Sequence, residues 1–299
     1  MAGRLQHPAR AWAPRLAFPA LIVANLFLAA GPWMVRLAEQ DGVGPVAAGF
    51  WRLALALPLL ALLAAWQGKG QARPSWGLTG AVVVGGLFFA ADLAAWHVGI
   101  LDTKLANATL FGNFASFLFA IYGFVLLGRM PGRLPVAALA LAAIGTFLLL
   151  GRSYELSHEN LVGDLFCLLA GLFYTFYLVA IDRARRTLSP FPTLAISTAA
   201  GALPLLLFAL ALGEQVMPRD WTPVLLLSAG SQLFGQSLLV FAMGHLSPMV
   251  TGLGLLTQPI AAAAIGWFAY GEALGAFDVA GAVLICAGLV LIRLPERSV

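Results

Sequence analysis

The sequence predicts an all-α integral membrane protein, in which ten transmembrane helices form two inverted five-helix repeats around a central cavity. Composition and an internal duplication are the two observations behind this prediction. Of 299 residues, 61% are hydrophobic and 10% are charged, whereas soluble domains carry roughly 25% charged residues. Too few polar side chains are available to cover the apolar surface, so we expect the chain to lie in a lipid bilayer.

The duplication relates residues 123–148 to residues 266–291 at a constant offset of 143 positions. Glycines carry much of the match, and they are harder to produce by chance than Ala or Leu in such a chain. The glycine pairs are Gly123 with Gly266, Gly128 with Gly271, Gly132 with Gly275, and Gly145 with Gly288. The pentapeptide Ala-Leu-Pro-Leu-Leu also occurs twice, at 56–60 and 202–206. Internal repeats of this kind are typical of membrane transporters.

Hydropathy divides the chain into ten spans. A bilayer core about 30 Å thick requires on the order of 20 apolar residues at a rise of about 1.5 Å each. The spans predicted by this rule are 16–35, 46–66, 76–98, 105–127, 134–150, 161–181, 193–212, 221–243, 249–270 and 277–292. Five spans per copy is an odd number, so the second copy enters the membrane from the opposite side and the repeats are inverted.

Positive charges predict the orientation, because Lys and Arg next to spans are retained on the cytoplasmic side. Twelve Lys and Arg lie on the side of both chain ends, four lie on the other side, and Arg52 lies inside a span. We therefore expect a bacterial-type inner (plasma) membrane location with both termini in the cytoplasm. The predicted units are an N-terminal segment (1–15), the first repeat (16–150), an outer linker (151–160), the second repeat (161–293) and a cytoplasmic tail (294–299).

Other function classes find little support in the sequence. The net charge of +4 comes from basic residues in short loops, which does not indicate a nucleic-acid partner. Cys167 and Cys286 fall within spans, so a disulfide or a metal cluster is not expected. The chain has no paired Asp motif, no zinc-binding His-Glu pair and no phosphate loop. We therefore expect no enzyme activity, no cofactor and no metal.

Asp92 is the clearest functional candidate within a span. An ionisable side chain near the bilayer centre costs roughly 2.5 to 3.5 kcal/mol on insertion scales, and Asp92 lies about 9 Å inside span three at the helical rise. Trp96 shares its face, and His97 is a neighbouring titrating group. Asp92 is interpreted either as an amine ligand or proton carrier, or as a structural residue bonded to Asn107 or Asn113.

Arg52 lies about seven residues inside span two, near the outer face of the membrane. Its long side chain can reach the membrane boundary by snorkelling, or form an ion pair, and this is the favoured interpretation. The alternative is a ligand for a substrate carboxylate, which a guanidinium holds through two parallel hydrogen bonds.

Polar residues also lie at mid-membrane depth in five different spans. They are Asn25, Asn113, Tyr174, Gln232 and Gln258. Tyr177 and Gln236 extend the faces of Tyr174 and Gln232. Together these residues predict one polar pocket at the repeat interface; separate interhelical hydrogen bonds are the alternative.

Three prolines lie inside apolar runs. Pro58, Pro204 and Pro259 each remove a backbone donor and tend to bend a helix. Pro58 and Pro204 occupy corresponding positions in the two copies. Bends there would let two halves of a bundle gate alternately, and static packing kinks fit the sequence equally well.

Several motifs carry a family resemblance. They are Phe50-Trp51-Arg52, Asp92 with Trp96-His97 ahead of Ala106-Asn107-Ala108-Thr109-Leu110 and Asn113, Leu256-Thr257-Gln258-Pro259, and Gly271-Glu272. These residues resemble the EamA-type ten-helix branch of the drug/metabolite transporter superfamily, over nearly the whole chain. In the first copy Arg129 and Ser116 replace the counterparts of Glu272 and Pro259. The resemblance implies an inner-membrane carrier, similar to bacterial exporters of amino acids, including aromatic ones.

We therefore expect a secondary carrier that exports small amphipathic metabolites, foremost amino acids including aromatic ones, by alternating access. Its partners are a small-molecule substrate and the lipid bilayer, while proton coupling and oligomeric state stay open. The expected substrate-binding residues are Asn25, Asp92, Trp96, His97, Asn107, Phe111, Asn113, Tyr174, Tyr177, Gln232, Gln236 and Gln258, with Phe114 also in the apolar wall. Export of drugs, nucleotide sugars or other metabolites is the alternative, and a channel or scaffold is a further one.

Overall fold

The computed structural model describes residues 13–69, 74–103, 105–128, 132–151, 158–270 and 275–293. All regular structure within these residues is helical, and ten helical stretches, α1 to α10, follow one another. The predicted segments 1–15 and 294–299 and the linker 151–160 lie largely outside the described residues.

The first five stretches include two broken helices. These are α1a (Ala13–Ala29) with α1b (Gly31–Gln40), α2 (Pro45–Gln67), α3 (Trp76–Gly99), α4a (Leu105–Gly112) with α4b (Phe114–Leu127), and α5 (Arg133–Gly151). The second five are α6 (Leu161–Arg185), α7 (Pro190–Ala211), α8 (Thr222–Met243), α9a (Pro248–Leu255) with α9b (Gln258–Tyr270), and α10 (Ala276–Leu291). Within α8, Ser228–Gln236 form a π-helix.

Eight of the ten stretches, in the described part of the chain, are long and apolar enough to cross a membrane. α5 and α10 are apolar but shorter by this measure. The all-helical membrane fold predicted from the sequence is therefore confirmed. The predicted bounds were several residues short in places: α1b continues to Gln40 and α6 continues to Arg185.

Helix starts follow from the local sequence. α2 and α7 begin with Pro45 and Pro190 at the first position, where the missing N–H would have no intrahelical partner. The Ser75 hydroxyl accepts a hydrogen bond from the N–H of Leu78 at 3.2 Å, which caps α3.

Helices α2 and α7 also cap each other's first turn. The Glu214 carboxylate, in the loop after α7, accepts hydrogen bonds from the N–H groups of Ala47 (2.8 Å) and Val46 (3.2 Å) at the start of α2. Burial raises the pKa of Glu214, and the two N–H donors oppose that shift. At the other end of the bundle, the Gln67 side chain at the end of α2 accepts the N–H of Phe191 at 3.0 Å.

An approximate two-fold symmetry relates the two halves. Exchanging each helix with the one five places along the chain maps the main contacts onto themselves: α2 packs on α7, α4 on α9 and α5 on α10. The contact of α3 with α6 likewise corresponds to that of α8 with α1. The internal duplication seen in the sequence is thus present in the packing.

The crossing of α5 and α10 shows the symmetry at single residues. A Cβ on Gly145 would lie 2.6 Å from the carbonyl oxygen of Gly281, and a Cβ on Gly288 would lie 2.7 Å from that of Ala138. The offset of 143 converts one contact into the other. Both glycines are required because the two backbones approach too closely for any side chain.

The bundle has two distinguishable ends. We call the end that carries residues 158–160 the linker end and the opposite end the termini end. At the linker end, the N–H of Gly44 donates to the carbonyl of Gln215 at 3.0 Å. At the termini end, the Arg293 guanidinium after α10 lies 4.4 Å from the centre of the Phe18 ring in α1a. The start of α1a and the end of α10 therefore lie at the same end of the bundle.

Alanine at the α5–α10 crossing tests this packing. Gly145→Ala and Gly288→Ala are each expected to lower the free energy of unfolding by about 1–3 kcal/mol through overpacking, measured by thermal denaturation in detergent. Gly80→Ala is the matched control, because nothing lies within 4 Å of its added Cβ. Equal effects at all three positions would contradict the close crossing.

Candidate functional site

A cavity of about 110 Å³ lies between the two repeats in the linker half of the bundle. It opens beside the breaks of α1 and α4 and the start of α9b. Its charged, polar and aromatic lining residues include Arg52, Phe89, Asp92, Trp96, Asn113, Tyr174, Gln236 and Gln258. Both repeats thus contribute to one site, and six of these eight residues were expected to bind substrate.

Arg52 reaches into this cavity instead of the membrane boundary. The residue is 5% exposed, which is incompatible with snorkelling. Its Nε lies 3.4 Å from the side-chain oxygen of Gln232, whose amide donates to Thr198 Oγ1 at 2.9 Å. The guanidinium also stands 5.5 Å from the centre of the Phe89 ring. Arg52 is therefore held by α8 and α3 with the rest of its donors free.

Asp92 faces the same cavity without a hydrogen-bond donor among the described residues. The structural interpretation paired it with Asn107 or Asn113, and that pairing is wrong. Asn113 donates to the Thr109 carbonyl within its own helix at 2.6 Å. Asn107 donates to Asp164 at 3.1 Å instead. No ion pair joins Asp92 to Arg52 either, among the described residues.

Asp164 is a polar residue that the sequence reasoning missed. It lies in the first turn of α6 and is buried. Its carboxylate accepts hydrogen bonds from Thr103 Oγ1 at 2.6 Å and from Asn107. Asn107 therefore fastens α4a to α6 and does not line the cavity. The sequence could have indicated Asp164, because an acidic residue at the fourth position of a predicted span is unusual in an apolar segment.

His97 makes a structural contact and does not line the cavity. Its Nδ1 lies 2.7 Å from the Pro45 carbonyl, so Nδ1 carries the hydrogen and donates. Its Nε2 is buried with no hydrogen-bond partner among the described residues. The ring thus secures the linker end of α3 against the start of α2, behind the wall that Trp96 forms.

Two tyrosines on α6 and a glutamine on α8 form a second polar group. Tyr177 donates to the Gln236 oxygen, and the Gln236 amide donates to the Tyr174 oxygen, both at 3.4 Å. The π-helix of α8 carries both Gln232 and Gln236. In a π-helix each carbonyl accepts the N–H five residues further on. Side chains four residues apart, such as those of Gln232 and Gln236, then lie nearly above one another along the helix. Gln232 and Tyr177 are fully buried behind the lining that Gln236 and Tyr174 provide.

Asn25 on α1a holds the break of α9. Its amide donates to the Gly254 carbonyl and to Thr257 Oγ1, both at 2.7 Å. Its side-chain oxygen accepts the amide of Gln258 at 3.2 Å. Asn25 therefore lies one contact behind the cavity and fixes how Gln258 is presented to it.

The breaks of α4 and α9 occur at equivalent positions. α4 is interrupted at Asn113 and α9 at 256–257, and the offset of 143 relates Asn113 to Leu256. Pro259 follows the second break directly. Helices α2 and α7 continue through Pro58 and Pro204. Discontinuous helices in corresponding halves are a known structural marker of transporter sites.

The aromatic wall differs from the expected one. Phe89, Trp96 and Tyr174 line the cavity. Phe111 packs against the core beside it, and Phe114 is 40% exposed on the lipid side.

In the termini half of the bundle, side-chain hydrogen bonds join neighbouring helices. The buried Asp182 on α6 accepts a hydrogen bond from Tyr122 of α4b at 3.5 Å and pairs with Arg186 at 3.0 Å. Arg185 donates to the Val240 carbonyl of α8 at 2.8 Å. These contacts tie α4, α6 and α8 together below the cavity.

A duplicated bundle of apolar helices, broken at matching positions around a small polar cavity, defines a multi-pass membrane transporter of small substrates. The profile of the EamA-like transporter family matches residues 15–151 and again residues 161–294. The chain belongs to this family and carries its module twice, which confirms the family resemblance seen in the sequence.

Individual relatives agree with this assignment. A protein described as an uncharacterized transporter of Archaeoglobus fulgidus is 27% identical over 219 residues, which cover 73% of this chain and 77% of that protein. A solved crystal structure superposes with a TM-score of 0.76 at 19% identity, covering 93% of this chain and 96% of the other. The second likeness shows that the fold is shared.

Asn25 offers a test of how the break is held. Asn25→Ala, and Asn25→Asp, which keeps the shape but removes the donor, should each lower the free energy of unfolding by about 0.5–1.5 kcal/mol, because the amide hydrogen bonds to Gly254 and Thr257 are lost while Thr257 still donates to the Gly254 carbonyl. Gln215→Ala is the control, since that exposed side chain donates only within its own loop. A stable Asn25→Asp protein would show that the donor is dispensable.

Proposed function

We propose that this chain is a secondary carrier that exports small amphipathic metabolites, in particular amino acids including aromatic ones, by alternating access. The single observation that carries the proposal is the presence of two opposite charges in one cavity. Arg52 and Asp92, one cation and one anion, both line it without forming an ion pair with each other.

Unpaired charges in a low-dielectric site favour a ligand that satisfies both. Burying an isolated charge is costly unless it is paired and hydrogen-bonded. An amino acid brings a carboxylate and an ammonium group in one molecule. The rings of Phe89, Trp96 and Tyr174 supply an apolar wall for its side chain.

The size of the cavity supports small solutes. Its volume of about 110 Å³ is well below the roughly 300–1,000 Å³ of pockets for drug-sized ligands. This argues for amino acids over the drugs and nucleotide sugars that formed the alternative. The largest aromatic substrates would require the lining side chains to move apart.

Alternating access is supported by the placement of breaks and contacts. The cavity lies in the linker half, whereas hydrogen bonds from Tyr122 to Asp182 and from Arg185 to the Val240 carbonyl join α4, α6 and α8 in the termini half. Helices broken at two-fold-related positions give each half a place to bend. We propose that the termini end faces the cytoplasm of a bacterial-type inner membrane, so that the cavity lies toward the outer side.

Counterflow in liposomes tests the substrate class. The full chain is expected to exchange labelled phenylalanine, tryptophan, threonine or methionine with saturation kinetics. Asp92→Asn should reduce exchange on the order of 10-fold or more, because a hydrogen bond to a charged group contributes about 1.5–3 kcal/mol. Glu39→Gln is the control, as that acid is exposed at the linker end.

The same assay separates the competing mechanisms. A channel passes solute without counterflow, and a scaffold passes none. Running the assay with and without a pH gradient tests proton coupling: if Asp92 carries the proton, the gradient should drive wild-type flux and have no effect on Asp92→Asn. Absence of flux for every amino acid would reject the substrate class.

A further inference from the structure

The cavity lining carries one cationic and one anionic side chain, Arg52 and Asp92, and their placement bears on how a solute is held. The inference rests on the proposed amino-acid substrates and specifies their orientation. It follows from asking which polar atoms of the lining residues stay unpaired after their contacts within the protein.

Two residues that line the cavity keep hydrogen-bond donors that are not used within the protein. The Nε of Arg52 is engaged by Gln232, but its two terminal nitrogens have no partner among the described residues. The Tyr174 oxygen accepts the amide of Gln236, so its own hydroxyl hydrogen stays available. We call Arg52 and Tyr174 the donor pole.

Three lining residues keep free acceptors. Asp92 has no described donor. Asn113 donates one amide hydrogen to the Thr109 carbonyl, and its side-chain oxygen has no described donor. Gln258 donates one amide hydrogen to Asn25, and its side-chain oxygen has no described donor either. Each amide keeps a second N–H, so only the Asp92 carboxylate is purely an acceptor. All three residues line the cavity, and we call them the acceptor pole after that carboxylate.

Residues of α3 order these groups along the cavity. The Arg52 guanidinium stands 5.5 Å from the centre of the Phe89 ring, and Phe89 precedes Asp92 by three residues on the same face. Residues with this spacing have Cβ atoms roughly 5–6 Å apart. Trp96 follows one turn further toward the linker end, with its indole nitrogen against Gly112. Along α3 toward the linker end, the order is therefore Phe89 with Arg52 beside it, then Asp92, then Trp96.

We propose that the cavity binds its solute in one orientation, with a carboxylate at the donor pole and an ammonium at the acceptor pole. An α-amino acid carries its carboxylate and its ammonium on one carbon, so a single small ligand can meet both poles at once. The ligand class is therefore the α-amino acid with both groups free. A ligand that lacks one group leaves the opposite charge of the protein unpaired, which sites of this kind reject strongly.

Binding of three related compounds to the purified full chain tests this orientation. The compounds are phenylalanine, phenethylamine, which lacks the carboxylate, and 3-phenylpropionate, which lacks the ammonium. Wild-type protein should bind phenylalanine on the order of 10-fold or more tightly than either analogue, as measured by calorimetry.

Two variants should then give a crossed pattern. Asp92→Asn should weaken phenylalanine and phenethylamine about 10-fold while leaving 3-phenylpropionate within about twofold, and Arg52→Gln should weaken phenylalanine and 3-phenylpropionate while sparing phenethylamine. Glu39→Gln and Arg219→Gln, at exposed positions, should change none of the three. A variant that merely unfolds loses all three ligands alike, and the wild-type preference then decides alone.

The inference is overturned if wild-type protein binds the three compounds equally or binds none, or if both folded variants lose the same pair. Its failure can be told apart from failure of the proposed function. Crossed binding without counterflow would reject the carrier and keep the orientation. Counterflow of phenylalanine with an uncrossed pattern would keep the carrier and reject the orientation.

Discussion

Backbone carbonyl and N–H groups have no water to bind inside a bilayer, and this constraint decides where the helices can break. Every other feature of the site depends on it. The break of α9 exposes the Gly254 carbonyl, and Asn25 from α1a supplies a donor at 2.7 Å. The break of α4 is accompanied by the Asn113 amide bonding back to Thr109. Because both breaks lie beside the cavity, the polar residues that repair them also shape the place where a solute can be held.

Hydropathy and the internal duplication were enough to predict the architecture. The bundle has the ten apolar stretches expected from the sequence, five in each repeat. The matched glycines Gly145 and Gly288 lie at the close crossing of α5 and α10. Glycine pairs were informative because a close helix crossing excludes every larger residue. The prediction of a polar pocket rested on membrane depth, and depth correctly grouped Asn113, Tyr174 and Gln258 at one cavity.

The hydrogen-bond partners of these side chains could not be predicted from their depth in the membrane. Depth does not determine the direction in which a side chain points. Asn107 lies at a similar depth to Asp92, yet it donates to Asp164. Asp164 lies near the end of a predicted span and was not among the predicted site residues. Arg52 was near enough to the boundary to snorkel, but its position depends on Gln232. The π-helix Ser228–Gln236, which carries Gln232 and Gln236, was not anticipated from the sequence.

The two-fold axis relates helix to helix, but it does not relate polar group to polar group. The first repeat supplies both full charges of the cavity, Arg52 and Asp92, whereas the second supplies only neutral dipoles from Tyr174, Gln236 and Gln258. Swapping the roles of the two halves therefore restores the outline of the chamber without restoring its electrostatic field. Under the proposed alternating access, a solute bound while the bundle is open to one face of the membrane therefore meets a different environment from one bound while it is open to the other.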